Sequence, residues 1–191
     1  MPLRRVTVTE WAAARGGPPH RGPGDPDGPG DGPGSDRLAG TLVHVLLQRA
    51  SRDVWDREEI RRRARALLRA DEKAGVDNCD ELVDRAVEAY LAILTRPEVA
   101  SLIDGDCLFE LPFSLRLDQS SDSPERQTAG APVIVRGTID CLARGSDGRL
   151  TVLEFKTGSR QPEHQAQLDL YVLAARALFP GAAVEGALIY A

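Results

Sequence analysis

Two carboxylates and a lysine lie close together in the C-terminal half of this 191-residue chain. Glu154 and Lys156 are two positions apart within the apolar run LTVLEFK, and Asp140 lies in the apolar run that precedes it. Side chains two positions apart on a strand project from the same face of a sheet. If the two runs form a hairpin, all three side chains converge on one polar site. Burying a charged side chain among apolar residues costs free energy unless the charge is paired or binds a metal ion.

A divalent cation suits this set of side chains. Carboxylate oxygens bind Mg²⁺, which retains water ligands for chemistry. The metal lowers the pKa of a bound water and neutralises charge on a phosphate under attack, and a nearby lysine stabilises the charge that develops. The alternative is a structural ion pair between Glu154 and Lys156 at a sheet edge. Only two of the 24 basic residues are lysine, Lys73 and Lys156, which favours a specific role for Lys156.

Three further polar residues are candidates for the same site. Gln167 and Tyr171 are four positions apart on the next predicted helix and therefore share a face. An ordinary amphipathic helix would show the same pattern. His44 is a polar residue within the otherwise apolar run GTLVHVLLQ, so it is either an additional metal ligand or a histidine satisfied in the core or at the surface.

The N-terminal half of the chain has the periodicity of helices. Apolar residues at helical spacing predict a first helix over 37–51. Asp56 with Glu59, and Asn78 with Glu81, have the spacing of a capping box. These pairs predict a second helix to about Ala70 and a third that ends before Pro97. A short helical turn is expected at 97–103.

The C-terminal half alternates between strand and helix patterns. Strands are predicted at 108–117, 132–144, 149–157 and 184–191, with a loop at 118–131, a turn at 145–148 and a helix from Pro162 to about Leu178. This order predicts an α/β or α+β domain with a mixed sheet.

Fourteen of the nineteen residues at 16–34 are glycine or proline. Such a segment cannot bury enough apolar surface to offset its chain entropy, so 15–35 is predicted to be a disordered linker. It would join a short N-terminal segment, 1–14, to a domain at 36–191. Within that segment VTVTEW is either an added strand, a docking peptide or a frayed terminus.

Composition narrows the function classes. The three cysteines form no CxxC pair, which argues against a disulfide framework, a zinc ribbon and an iron–sulfur cluster. The chain has neither a long apolar run nor a secretory signal, so we expect a cytoplasmic protein without a membrane segment. Its net charge of −5 is unusual for a protein that coats DNA. Arg62, Arg65 and Arg69 are candidates for contacts with phosphate, although a solvated helix face balanced by acidic neighbours is the favoured explanation.

Five motifs occur in an order and spacing that resemble the RecB/AddA-type nuclease domain of the PD-(D/E)XK superfamily. They are GTLVH (40–44), ELPF (110–113), GTID (137–140), LEFKTG (153–158) and QLDLY (167–171). The resemblance covers about 38–191. It implies a restriction-endonuclease-like α/β core, in which a mixed central sheet is flanked by helices, with an N-terminal helical segment. It also implies Mg²⁺- or Mn²⁺-dependent cleavage of DNA, in the manner of an exonuclease of DNA repair and recombination.

The resemblance also assigns roles. Asp140 and Glu154 would bind the metal with His44 as an additional ligand, Lys156 would be the catalytic lysine, and Gln167 and Tyr171 would support it. Glu110 would lie near the site. Because the sequence has no GxxxxGK[ST] motif, a helicase motor would be a partner in trans. Two alternatives stay open, a non-catalytic module that binds DNA ends or a partner, and a nuclease that acts on mobile or phage DNA.

Overall fold

A computed structural model describes residues 4–13, 33–49, 55–103, 105–117 and 132–191. The helices in these ranges are α1 Val8–Ala13, α2 Pro33–Arg49, α3 Arg57–Leu67, α4 Ala70–Ala74, α5 Cys79–Leu94, α6 Pro97–Ile103 and α7 Pro162–Leu178. The strands are β1 Arg4–Thr7, β2 Asp106–Leu117, β3 Val133–Arg144, β4 Leu150–Lys156 and β5 Val184–Tyr190. The predicted α/β class with a mixed central sheet is confirmed. The segment predicted to be a linker lies outside the described residues apart from 33–35, which belong to α2.

Side-chain caps begin two of the helices where the sequence predicts them. Asp56 Oδ1 accepts a hydrogen bond from the Glu59 amide at 2.8 Å, and Asn78 Oδ1 accepts from the amides of Asp80 and Glu81. Each cap satisfies amides that have no partner within the helix. The end of α3 differs from the prediction, because α3 stops at Leu67 and a separate short helix, α4, follows.

The sheet is built around β3. β2 runs antiparallel to β3 along its whole length, from Leu117 opposite Val133 to Asp106 opposite Arg144. β4 and β1 pair with the other edge of β3 at its two ends, β4 antiparallel over 141–144 and β1 parallel over 133–136. β5 continues the sheet in parallel with β4. The N-terminal segment thus contributes an added strand, but this strand includes only the first two residues of VTVTEW, and the other four belong to α1.

Helices cover both faces of the sheet. The first core, formed largely by α2, α3, α5 and α6, includes Leu153 and Phe155 of β4. The second core, formed largely by α7 and the sheet with Val8 of α1, includes Val152. Every residue of β4 up to Phe155 is buried, so this strand is the centre of the molecule. Within the described ranges, none of the helices has the length and apolar character needed to span a bilayer.

Candidate active site

An open cleft of about 860 Å³ lies between α2 and the end of β4. α2 lines it with Arg37, Thr41, His44 and Gln48, which recur every three or four positions and so share one helix face. A Cβ atom at Gly40 would lie 3.1 Å from Thr157 Oγ1, so a glycine here lets the helix approach the end of the strand closely. The predicted helix therefore places His44 over the strand that carries the carboxylate and lysine.

The β2–β3 pair changes faces at the cleft. Cys107 and Phe109 of β2 pack on the first core, whereas Leu111, two positions further along, packs on the second. An unbroken strand would keep these alternate residues on one face. The change occurs at Glu110, whose φ of 51° lies in the left-handed region that a residue with a side chain adopts at an energetic cost.

β3 makes the same change of face opposite Glu110. Ile139 packs on the second core, and Cys141 on the first. The paired residues on either side place Glu110 opposite Asp140, and this pair is absent from the ladder of paired residues described for β2 and β3. The irregularity in both strands therefore brings two carboxylates to one point.

His44, Glu110 and Asp140 form a cluster of metal-ligand type. His44 Nδ1 lies 3.4 Å from Asp140 Oδ1 and 3.9 Å from Glu110 Oε1. One ligand atom from each residue lies within 4.8 Å of the others. Imidazole and carboxylate side chains are ligands for divalent first-row metals, and carboxylates suit Mg²⁺ and Mn²⁺.

β4 separates from β3 beside this cluster. Their ladder ends at Cys141 opposite Leu153, one step before Asp140 and Glu154 would pair. Beyond that point the Phe155 amide donates to Asp140 Oδ2 at 2.9 Å. The Asp140 carboxylate thus accepts the hydrogen bond that a backbone carbonyl of β3 would otherwise accept. This bond fixes Oδ2, and Oδ1 faces His44.

A chain of hydrogen bonds links β4 to α7. Lys156 Nζ donates to Glu154 Oε1 at 2.7 Å and to Gln167 Oε1 at 2.9 Å. Gln167 Nε2 in turn donates to the Tyr171 hydroxyl at 2.8 Å. The structure brings together the strand pair and the helix pair that the sequence singled out. The Lys156 ammonium is thereby held in place from two sides.

Burial changes the proton affinity of both acidic groups from β3 and β4. Glu154 is 2% exposed, and burial raises its pKa to about 8, with a further contribution from the negative charge of Asp140. Burial likewise raises the pKa of Asp140 to about 6, against the lowering effect of the Phe155 amide. Paired carboxylates with such shifts are characteristic of functional sites.

The residues present fit a divalent cation. Glu154 Oε2 is buried and has no hydrogen-bond partner among the described residues. A buried oxygen without a partner is costly, and coordination of a cation near Asp140 would remove that cost. The three-residue cluster contains Glu110, whose role the sequence left open, and does not contain the predicted ligand Glu154, whose pKa is nevertheless raised in part by the charge of Asp140.

The arginines predicted to contact phosphate lie elsewhere. Arg62 bonds Glu59, Arg65 bonds Asp80, and Arg69 lies 3.3 Å from a carboxylate oxygen of Asp71. The three do not share one helix, because α3 ends before Arg69. None of them lines the cleft.

The cleft residues that sequence reasoning missed include Arg37, Gln48 and His164. A signal for His164 was present, since it lies three positions before Gln167 and therefore on the same face of α7. Arg37 lies seven positions before His44, two helical turns along the same face of α2. Each could have been found by extending a motif along its helix.

Comparison with known proteins gives the same interpretation over most of the chain. The family model described as "PD-(D/E)XK nuclease superfamily" matches residues 22–191. An ATP-dependent helicase/nuclease subunit of Bacillus licheniformis is 28% identical over 134 residues, which are 62% of this chain and 9% of that protein. The corresponding protein of Pelotomaculum thermopropionicum is 35% identical over 101 residues, 48% of this chain and 8% of that protein.

This chain thus spans less than a tenth of the length of these relatives. The family match, in contrast, includes every residue that lines the cleft and the residues of the hydrogen-bond network from Glu154 through Lys156 and Gln167 to Tyr171. The chain belongs to the PD-(D/E)XK nuclease superfamily.

Proposed function

We propose that this protein is a metal-dependent deoxyribonuclease of the RecB/AddA type. The observation that carries the proposal is that Asp140 and the buried Glu154, one of whose oxygens has no partner among the described residues, lie beside an anchored lysine that lines an open cleft. A structural ion pair between Glu154 and Lys156 would not require the neighbouring cluster of His44, Glu110 and Asp140. The family match supports nuclease chemistry.

Asp140 and Glu154 would hold Mg²⁺ or Mn²⁺, with His44 as an additional ligand and Glu110 completing the acidic surroundings. A divalent cation there would lower the pKa of a bound water and neutralise charge on the phosphate under attack. The protein's own contribution is to hold the carboxylates close together before the cation arrives. The Phe155 amide and the burial of Glu154 perform this function.

Lys156 would act on the reacting phosphate or on the attacking water. Glu154 and Gln167 hold its ammonium group, so its donors are oriented before substrate binds. Preorganised positive charge of this kind stabilises the negative charge that develops on a phosphate. Tyr171 would act as a positioning residue through Gln167.

The cleft would bind DNA through its backbone. Among the described residues Arg37 forms no ion pair, whereas its neighbour Asp36 is paired with Arg85 at 2.8 Å. The α2 wall therefore presents an uncompensated positive charge, which suits phosphate contacts. Arg62, Arg65 and Arg69 are weaker candidates for contacts with more distant phosphates, because each lies beside an acidic partner.

A helicase motor would supply the strand to the cleft. The relatives are named as parts of an ATP-dependent helicase/nuclease, and this chain spans only a small part of them. We therefore propose a helicase partner, a role in DNA repair and recombination, exonucleolytic action and a cytoplasmic location.

Incubation of the purified chain with linear single- and double-stranded DNA tests the proposal. We expect cleavage with Mg²⁺ or Mn²⁺ and none with EDTA. Products that shorten progressively from an end would support an exonuclease. DNA binding without cleavage in either metal, even with a helicase added, would favour a non-catalytic module that binds DNA ends or a partner.

A further inference from the structure

The first turn of α7 carries an imidazole at the mouth of the cleft. His164 lines the same cleft as Lys156. It lies three positions before Gln167 and seven before Tyr171, so the three side chains form one stripe along the helix. Gln167 and Tyr171 belong to the hydrogen-bonded chain behind the lysine, and His164 extends the stripe toward solvent.

The imidazole of His164 is held by Tyr190. His164 Nδ1 and the Tyr190 hydroxyl are hydrogen-bonded at 2.9 Å, and the two ring centres lie 5.9 Å apart. With Nδ1 engaged, the ring nitrogen that stays available to a ligand is Nε2.

Tyr190 is itself fixed on several sides. Its backbone is paired with Lys156 in the β4–β5 ladder, and its carbonyl accepts from Arg96 at 2.7 Å. The guanidinium carbon of Arg160 lies 5.0 Å from the centre of its ring. The anchor of His164 is thus tied to the strand that carries the catalytic lysine.

The surroundings of His164 favour its neutral form. Burial lowers the pKa of this histidine, the positive charge of Lys156 lowers it further, and Glu163 opposes both. A neutral imidazole whose Nδ1 accepts from a phenol carries its proton on Nε2. With Nδ1 as the acceptor from Tyr190, Nε2–H is the donor available to a ligand in the cleft.

We propose that His164 binds the DNA strand by donating its Nε2–H to a phosphate oxygen next to the cleaved linkage, and that Tyr190 is the positioning residue that sets its tautomer and orientation. This inference rests on the proposed function in one respect, namely that a DNA strand occupies the cleft. It adds a contact on the wall opposite Arg37, so the strand would be held from both sides.

Equilibrium binding of a labelled oligonucleotide in EDTA tests the contact without requiring cleavage. We expect His164→Ala to weaken binding about tenfold, as for loss of a hydrogen bond to a charged group. His164→Gln retains an N–H donor and should recover part of the loss. Gln165→Ala, one position along on the exposed side of α7 where Gln165 bonds Asp169, is the matched control and should bind as the wild type does.

A double-mutant cycle tests the positioning role. Tyr190→Phe should raise the KM for DNA about threefold with kcat little changed, and it should have no further effect when His164 is already alanine. Additive losses would overturn the role of Tyr190. Thermal unfolding of each variant identifies any that fails to fold, and His164→Gln then carries the test.

Neutral methylphosphonate linkages locate the phosphate. At the contacted linkage, the substitution should weaken binding to the wild type but not to His164→Ala. Equal losses for both proteins at every linkage, or unchanged binding by His164→Ala, would overturn the inference. Absence of metal-dependent cleavage by the wild type would instead overturn the proposed function, since the binding measurements do not depend on it.

Discussion

Glu59 and Glu154 each accept hydrogen bonds from a cationic side chain, yet their pKa values move in opposite directions. Glu59, a partly exposed residue of α3, bonds Arg62 and Arg63, and these bonds lower its pKa to about 2. Glu154, under the cleft, bonds Lys156, but burial raises its pKa to about 8.

The difference separates two kinds of charged cluster. Exposed pairs on α3 and α5 neutralise each other in water and contribute little to stability. The buried carboxylates retain an electrostatic cost that a cation would relieve. A dense group of arginines is therefore a poorer guide to a functional site than two carboxylates and one lysine in a buried strand.

The largest effect is expected from Asp140→Asn. Asparagine can still accept from the Phe155 amide, so the fold should survive while one negative charge is lost from the cluster. We expect cleavage to fall about a thousandfold and Mn²⁺ binding to weaken strongly. Calorimetric titration with Mn²⁺ measures the affinity of the variant for the metal. An affinity equal to that of the wild type would contradict the role of the buried carboxylates in binding a cation.

The second effect is on stability and concerns pH. Between about pH 4.5 and pH 8 the folded, metal-free protein holds a proton on Glu154 that the unfolded chain has released. The free energy of unfolding should therefore fall as pH rises through this range, and Asp140 adds to the fall up to about pH 6.

Denaturant unfolding in EDTA from pH 5 to pH 8 measures this dependence. Glu154→Gln cannot titrate and should flatten the curve, whereas Glu59→Gln should not. Added Mg²⁺ should restore stability at the high-pH end because it binds the folded form. A wild-type curve that rises from pH 5 to pH 8 in EDTA would contradict the assignment.

A smaller effect is expected from Tyr171→Phe. The phenol accepts from Gln167, which bonds Lys156, so its loss loosens the lysine without removing it. The ring also packs edge-on against Phe113, a contact that phenylalanine keeps. We expect kcat to fall about tenfold with KM unchanged, measured under steady-state conditions. A change in KM alone would place Tyr171 outside the lysine network.

The smallest effect, on DNA affinity, is expected from substitutions in the arginine face, the group of Arg62 and Arg65 on α3 and the neighbouring Arg69. Arg62→Ala should change DNA affinity less than twofold, because the side chain is already engaged by Glu59 and lies outside the cleft. Arg37→Ala, on the cleft wall, should weaken binding about fivefold and reduce its salt dependence. The DNA affinities of the two variants are compared at two salt concentrations. A larger loss for Arg62→Ala than for Arg37→Ala would show that the arginine face contacts DNA.

Local signals in the sequence were sufficient for much of the fold. Asp56 and Asn78 are side-chain caps, and the turn between β3 and β4 contains Gly148 at a φ of +80°. These features depend on residues a few positions apart, so a single sequence displays them. The convergence of Asp140, Glu154 and Lys156 followed from the same hairpin.

The remaining features depend on contacts that sequence spacing does not display. From Phe109 to Leu117 every second residue is a large apolar one, so nothing in this stretch marks the change of face at Glu110. The parallel pairing of β1 with β3 joins segments more than 120 positions apart. Val8 of α1 packs so closely on β3 that a side chain at Gly137 would overlap it. Such positions are set by tertiary packing rather than by local propensity.

Single-turnover cleavage by a matched pair of lysine variants tests the central claim most directly. Lys156 and Lys73 are the only lysines in the chain, and Lys73 lies exposed on α4. With Mn²⁺ binding retained in both, Lys156→Ala should cut linear DNA about a hundred- to a thousandfold more slowly than the wild type. Lys73→Ala should cut at the wild-type rate. Equal rates for the two variants would contradict the assignment of this cleft as the nuclease site.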